Sequence, residues 1–291
     1  MKIAVVGCSG FIGRHVVEHF LNANFKVVGI SRHATHIDAP WTSHPDLVLS
    51  DVDVSDTDQL TAALSDCEKA VYLIHGLASS DFQSHETDSS QSFVKAAQDI
   101  KQIVYISGLG QGPRLSPHLK SRQRTGKILR EHIPTVELRA AMVLAPGSVG
   151  YDIIESLTSK LPLLLLPRSA QTTMQPITLD DLTRYIDEAI QLPDNHSQII
   201  EVGGPDTMSY QELIRRFITH CGKRRIVIRL PFLPAMVAAW WLDLFTPKHH
   251  ARIGQHMIAS LDNQMIVTDT SAAELFPHIS CEPIEKAIRC S

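Results

Sequence analysis

The sequence predicts an α/β fold in which a doubly wound parallel sheet carries a small C-terminal substrate lobe. Three observations predict it. Short β-branched runs alternate with longer helical ones from Lys2 to about Leu144, a glycine-rich turn joins the first run to the first helix, and the alternation loses its regularity beyond Gly147. Strands that alternate with helices need crossover connections, which leave a parallel sheet covered on both faces.

Ile3-Ala4-Val5-Val6 is an unbroken apolar run that stops at Gly7, as expected of a strand buried on both faces. Ile12, Val16, Val17, Phe20 and Leu21 follow at helical spacing. Val27-Val28-Gly29-Ile30 is the second strand and Leu47-Val48-Leu49 the third, and Ser55-Asp56-Thr57-Asp58 caps a helix to about Leu64. A fourth strand, Ala70 to Ile74, precedes a helix from about Glu86 to Ala97. Ile103-Val104-Tyr105-Ile106 is the fifth strand, and a helix near Arg122 to Glu131 leads to a sixth around Val136 to Leu144.

In the second half, Thr178-Leu179-Asp180-Asp181 caps a helix to about Gln191, Ile199 to Val202 is another buried strand, and Ser209-Tyr210-Gln211-Glu212 caps a further helix. The segments Gly147 to Pro176 and Leu230 onward read as irregular and proline-rich. The expected division is therefore 1-146 plus 178-202 for the sheet domain and 147-177 plus 203-291 for the lobe, with no internal repeat or separating linker.

Composition narrows the function. With 44% hydrophobic and 20% charged residues, the chain is ordinary globular protein rather than disordered. A formal charge of -4 leaves no surplus of Lys and Arg to neutralise a phosphate backbone, so nucleic acid is not the expected partner. Five cysteines without a C-x-x-C pair suit no disulfide framework; with no signal peptide, a cytoplasmic location is expected. The apolar stretch from Leu230 to Phe245 is broken by Pro231 and Pro234, and falls short of the ~20 residues of a bilayer span.

Gly7-Cys8-Ser9-Gly10-Phe11-Ile12-Gly13 lies between the first strand and the first helix. In a Rossmann-type fold, Gly7 permits the tight turn, Gly10 lets the backbone approach a pyrophosphate, and Gly13 allows close helix packing. The N–H groups at the helix start, with Ser9, then face the phosphates. The spacing is G-x-x-G-x-x-G rather than G-x-G-x-x-G, but the strand before it and the helix after it supply the required context. Ser31 and Arg32 end the second strand, where an NAD site usually carries an acidic residue. Donors and positive charge suit a 2′-phosphate, so NADP(H) is favoured over NAD(H).

These residues resemble the short-chain dehydrogenase/reductase superfamily, and in particular its atypical NAD(P)H-binding, NmrA-like branch. The resemblance extends to Asp53-Val54-Ser55-Asp56, Val71 to Gly76, Val104 to Leu109, Leu138 to Leu144, Gln175 to Asp181 and Val202 to Pro205. It implies that Asp53 and Val54 flank the adenine, that His75 and Gly76 line the path to the nicotinamide ribose, and that Ser107, Gly108 and Leu109 sit beside the nicotinamide.

The superfamily's proton donor is a Tyr, with a Lys four residues on. Four residues beyond Tyr72, Tyr105, Tyr151, Tyr185 and Tyr210 stand Gly76, Leu109, Glu155, Ala189 and Ile214, so the pair is missing. At the expected place His118 and Arg122 have the same spacing. A His can donate a proton near neutral pH and Arg122 can bond ribose hydroxyls, but a guanidinium cannot shuttle protons. Ser107 either orients a substrate carbonyl or bonds the backbone at its strand end.

Other features leave alternatives open. Cys8 is either a redox-sensitive thiol, activated by the helix terminus, or a small packing residue. Asp180 and Asp181 look like a carboxylate pair but serve a helix start. His249, His250 and His256 lack an accompanying carboxylate or thiol at ligand spacing, so no metal is expected. Phe232 to Phe245 is either a helix packed in the lobe or a lipid-contacting surface, and Leu161 to Pro167 can wall an apolar pocket. The expected function is an NADP(H)-dependent oxidoreductase acting on a small apolar carbonyl or quinone-like substrate. The alternative is a non-catalytic NADP(H)-binding sensor or assembly protein, and the oligomeric state is open.

Overall fold

Side chains alternate between two apolar layers along each central strand. In β1 (Lys2–Val6), Ile3 and Val5 belong to one layer, while Ala4 and Val6 belong to the other. A computed structural model describes residues 1–76, 81–230 and 260–290. The first half continues through α1 (Phe11–Asn22), β2 (Lys26–Ser31), β3 (Leu47–Asp51), α2 (Thr57–Leu64), β4 (Lys69–Tyr72) and α3 (Phe82–Ala96). β5 (Gln102–Gly108), α4 (Pro117–His132), β6 (Thr135–Ala140) and β7 (Val143–Leu144) follow. Then come α5 (Val149–Lys160), β8 (Leu163–Leu166), β9 (Thr173–Met174), β10 (Ile177–Thr178), α6 (Leu179–Gln191) and β11 (Gln198–Val202). β12 (Met208–Ser209), α7 (Tyr210–His220), β13 (Ile226–Arg229) and α8 (Ser271–Leu275) complete the described elements.

Seven strands form one parallel sheet in the order β11-β6-β5-β4-β1-β2-β3. Chain order reverses between β1 and β4, so a crevice opens there at the carboxyl ends of the strands, where such sheets take ligands. The predicted doubly wound Rossmann-type sheet is present. One layer packs Val16, Val17 and Phe20 of α1 and Leu182 and Ile186 of α6 against Val5, Val71 and Val104. The opposite layer packs Leu60, Phe93 and Leu129 against Val6, Tyr72 and Tyr105. A third cluster, with Tyr151, Leu164, Met174, Leu213 and Phe217, forms the interior of the lobe.

Several expected elements need correction. α4 starts at Pro117, not near Arg122, because Ser116 caps it: its Oγ accepts the Leu119 N–H at 3.2 Å, and Pro117 needs no donor in the first turn. α3 begins at Phe82, four residues ahead of Glu86. The sixth strand ends at Ala140, and Val143-Leu144 pairs instead with Ile177-Thr178. The stretch from Gly147 to Pro176 is not irregular. Ser148 caps α5, whose Tyr151, Ile154 and Thr158 are buried at helical spacing. Leu164 and Leu166 point into the lobe interior, so these two pack there rather than wall a pocket.

The cysteine count also misled. Cys221, at the end of α7, is disulfide-bonded to Cys290 in the C-terminal tail across 5.2 Å between Cα atoms, leaving Cys8, Cys67 and Cys281 as free thiols. An odd total does not prevent one pair whose backbones the fold brings together. Asp181 is fully buried and accepts the Glu282 N–H at 2.9 Å, so it ties the tail to α6, while Thr178 caps that helix. No helix among the described residues is long and apolar enough to cross a membrane. His249, His250, His256 and the Phe232–Phe245 segment lie outside the described residues.

Candidate cofactor cleft

The glycine loop is shaped by contacts no side chain would allow. Gly7 adopts φ +96° and donates its N–H to the Ile30 carbonyl at 2.8 Å, which ties the turn to the end of β2. A Cβ on Gly13 would meet the Gly7 carbonyl oxygen at 2.2 Å, so α1 can start this close to the loop only with glycine there. Gly10 is exposed and its nearest obstacle to a Cβ is 3.3 Å away; it caps α1 without a side-chain hydrogen bond. The first-turn amides of Phe11 and Ile12 therefore have no capping side chain as competitor for an anion. Ser9 stays half-buried beside them, and its carbonyl accepts Arg14 Nε at 3.0 Å. Cys8 is fully buried, and burial pushes its thiol up to about 11, which settles its place as packing rather than a reactive thiolate.

At the β2–β3 end of the crevice, Ser31 is buried and its Oγ has no hydrogen-bond partner among the described residues; Arg32 beside it is exposed. Asp53 is exposed and Val54 half-buried just beyond β3. Asp53 Oδ1 accepts the Ser55 N–H at 2.9 Å and the Ser55 hydroxyl at 2.7 Å. These bonds, helped by the Arg32 charge, hold its carboxyl below the usual range.

At the β4–β5 end the sequence-predicted residues come together. His75 and Gly76 leave β4, Ser107 and Gly108 end β5, and His118 and Arg122 occupy the first turns of α4. The His75 and His118 rings lie 5.1 Å apart, centre to centre. A Cβ on Gly108 would meet Leu119 at 2.4 Å, so glycine lets α4 approach the strand end. Ser107 is buried, with its Oγ unpartnered among the described residues.

Arg122 is buried, and its guanidinium donates to the carbonyls of Ile74, at 3.0 Å, and Ile106. It braces the ends of β4 and β5, a use the Tyr/Lys spacing did not anticipate. Tyr105 donates its hydroxyl to the Arg122 carbonyl at 2.9 Å, and burial pushes it up to about 12. Tyr72 is raised further still by burial. Both phenols are fully enclosed, so neither reaches the cleft to stand in for the missing Tyr.

Sequence reasoning missed Glu86. It is 2% exposed, accepts His75 Nδ1 at 2.7 Å, the Gly76 N–H at 3.3 Å and the Ser121 hydroxyl, and lies 3.9 Å from the Arg122 guanidinium. Desolvation works to raise its pKa, but the His75 hydrogen bond and the Arg122 charge outweigh it and hold the carboxyl down to about 2. A signal existed: Phe82, Glu86, Ser90 and Phe93 share one helical stripe, and a carboxylate on a buried stripe needs a partner.

Residues 7–142 match the profile of a family described as NAD(P)H-binding. Over that stretch the chain resembles an NAD(P)H-binding domain. The match bears out the resemblance to the atypical short-chain dehydrogenase/reductases. Three solved structures share the fold beyond that domain. A nucleoside-diphosphate-sugar epimerase from Staphylococcus aureus is 15% identical with TM-score 0.76, covering 98% of each chain. A Thermotoga maritima UDP-glucose 4-epimerase with UDP-glucose is 16% identical with TM-score 0.72, covering 99% of this chain and 96% of the other. A Thermus thermophilus UDP-glucose 4-epimerase in complex with NAD is 17% identical with TM-score 0.64, covering 88% and 99%.

The NAD(P)H-binding domain fits its cofactor class. The glycine cradle admits a backbone-hugging pyrophosphate, and orphaned buried hydroxyls of Ser31 and Ser107 mark the strand ends on either side of the switch point.

Proposed function

We propose that the protein is an NADP(H)-dependent oxidoreductase acting on a small, apolar carbonyl or quinone-like compound. A bound nicotinamide dinucleotide supplies hydride exchange. The amides of the glycine loop would hold its pyrophosphate, Ser31 and Arg32 its 2′-phosphate, and Asp53 and Val54 would flank the adenine. His75, Gly76, Ser107 and Gly108 would line the nicotinamide end. His118, at the spacing of the superfamily's proton donor, would face His75 across that end, and Arg122 holds the two strand ends in position.

The observation that carries the reading is the convergence of two imidazoles, His75 and His118, 5.1 Å apart at the strand ends of a dinucleotide cleft. Imidazoles gathered at such a place serve chemistry more readily than packing. A screen of aldehydes, ketones and quinones for NADPH consumption tests it, with turnover of at least one class expected. Tight NADPH binding with no consumption across the whole panel would contradict it.

The absent Tyr-x-x-x-Lys pair favours a second reading, a non-catalytic NADP(H) sensor or assembly protein. A partner whose binding depends on cofactor would support the sensing form. Sugar-nucleotide epimerisation, named for the structural neighbours, has less support, because the superfamily's Tyr is missing here.

A further inference from the structure

We propose that His75 and Glu86 form the proton-transfer unit of this site, with His75 as the catalytic residue and Glu86 as the positioning residue behind it. The proposal rests on the oxidoreductase reading above and deepens it.

The geometry sets the tautomer. An ionised carboxylate only accepts hydrogen bonds, so the Nδ1 of His75, 2.7 Å from Glu86 Oε1, carries the hydrogen. Nε2 is then the nitrogen left to meet a ligand, and the side chain keeps 36% of its surface exposed while Glu86 is almost wholly enclosed. Glu86 is itself fixed from three sides, by the Gly76 amide, the Ser121 hydroxyl and the Arg122 guanidinium. A ring anchored through one nitrogen by a buried acid presents the other in a defined direction, the arrangement general acid–base catalysis requires.

Among the described residues, the charged and titratable groups facing His75 are Glu86 from α3 and His118 and Arg122 from α4. Desolvation and the Arg122 charge lower the imidazole's pKa, and Glu86 opposes them. Two facing imidazoles beside a guanidinium disfavour two positive rings at once.

The balance is that of carbonyl reduction. The carbonyl carbon gains the hydride that the reduced nicotinamide supplies as the C=O π bond breaks. The imidazolium gives its Nε2 proton to the carbonyl oxygen, yielding the alcohol and the neutral Nδ1–H ring, which regains a proton (H+) from bulk solvent. In the reverse direction Nε2 takes the alcohol proton. Glu86 offsets the charge of the imidazolium and does not itself exchange protons.

The test combines NMR of the whole protein, labelled with 15N-histidine, with NADPH titrations and turnover of two probes, para-nitrobenzaldehyde and phenanthrenequinone. His75 is expected to show the Nδ1–H tautomer when neutral, and Glu86→Gln to move its titration to lower pH. His75→Asn should keep NADPH affinity within a factor of about three while kcat for the aldehyde falls ~100-fold or more. In Glu86→Gln, the fall of kcat with rising pH should begin at lower pH, a shift that mere loss of packing would not produce. An Nε2–H tautomer in the wild type, or aldehyde reduction by His75→Asn at the wild-type rate, would overturn the dyad alone. A wild-type protein that binds NADPH but reduces neither probe would overturn the oxidoreductase reading and the dyad with it.

Discussion

The α carbon of Gly13 faces the carbonyl oxygen of Gly7 so closely that a Cβ there would lie 2.2 Å from it. The same probe at Gly10 meets that oxygen at 3.3 Å. Gly13 is needed by the fold, whereas Gly10 is proposed to serve the pyrophosphate, and substitution separates the two. Gly13→Ala forces a backbone shift and should cost about 2 kcal/mol by urea denaturation, with NADPH affinity falling as well. Gly10→Ala should change stability by less than about 1 kcal/mol, yet weaken NADPH binding about tenfold or more by blocking the pyrophosphate's approach. Equal stability losses in the two variants would contradict this division.

The Glu86 carboxyl makes the cleft sensitive to acid. Its folded pKa, about 2, lies below the 4.5 of an unperturbed glutamate, so its contribution to stability is fully present above 4.5 and is lost as pH falls from there towards 2. The amount is on the order of 3 kcal/mol. Denaturation midpoints followed from pH 6 down to about 2.5 should fall more gently in Glu86→Gln than in the wild type. Parallel curves would contradict the assignment.

Reducing the Cys221–Cys290 bridge should loosen the lobe. The bond closes a loop of 69 residues between α7 and the tail, and loop-closure entropy for that length corresponds to about 4 kcal/mol. A thermal melt with reductant, or of Cys290→Ser, should show a lower Tm than the oxidised protein. Unchanged melting, with five free thiols titrated in the native chain, would contradict the bridge.

Local pattern carried much of this architecture, and long-range proximity carried the rest. Ile3 to Val6 followed by Gly7 announces the first strand and its turn in five adjacent letters, and Thr178 and Ser209 sit at their caps as spacing predicts. The contact between His75 and Glu86 spans eleven residues across a change of element, and no periodicity reports it. Arg122 has the family's spacing, but that spacing gave no sign that its guanidinium would be spent on the Ile74 and Ile106 carbonyls. Cys221 and Cys290 meet only because the tail returns to α7, where Tyr151 also anchors it by accepting the Arg289 N–H at 2.7 Å. α5 was obscured by the glycines at its start, which blur an apolar period that Tyr151, Ile154 and Thr158 do keep.

Calorimetric titration of NADPH and NADH into the wild-type protein and into Arg32→Ala tests the central claim most directly. NADPH should bind more tightly, with an advantage of about tenfold or more that disappears in the mutant while NADH affinity is little changed. Equal affinity for the two cofactors, or an NADPH preference that survives the loss of Arg32, would contradict it.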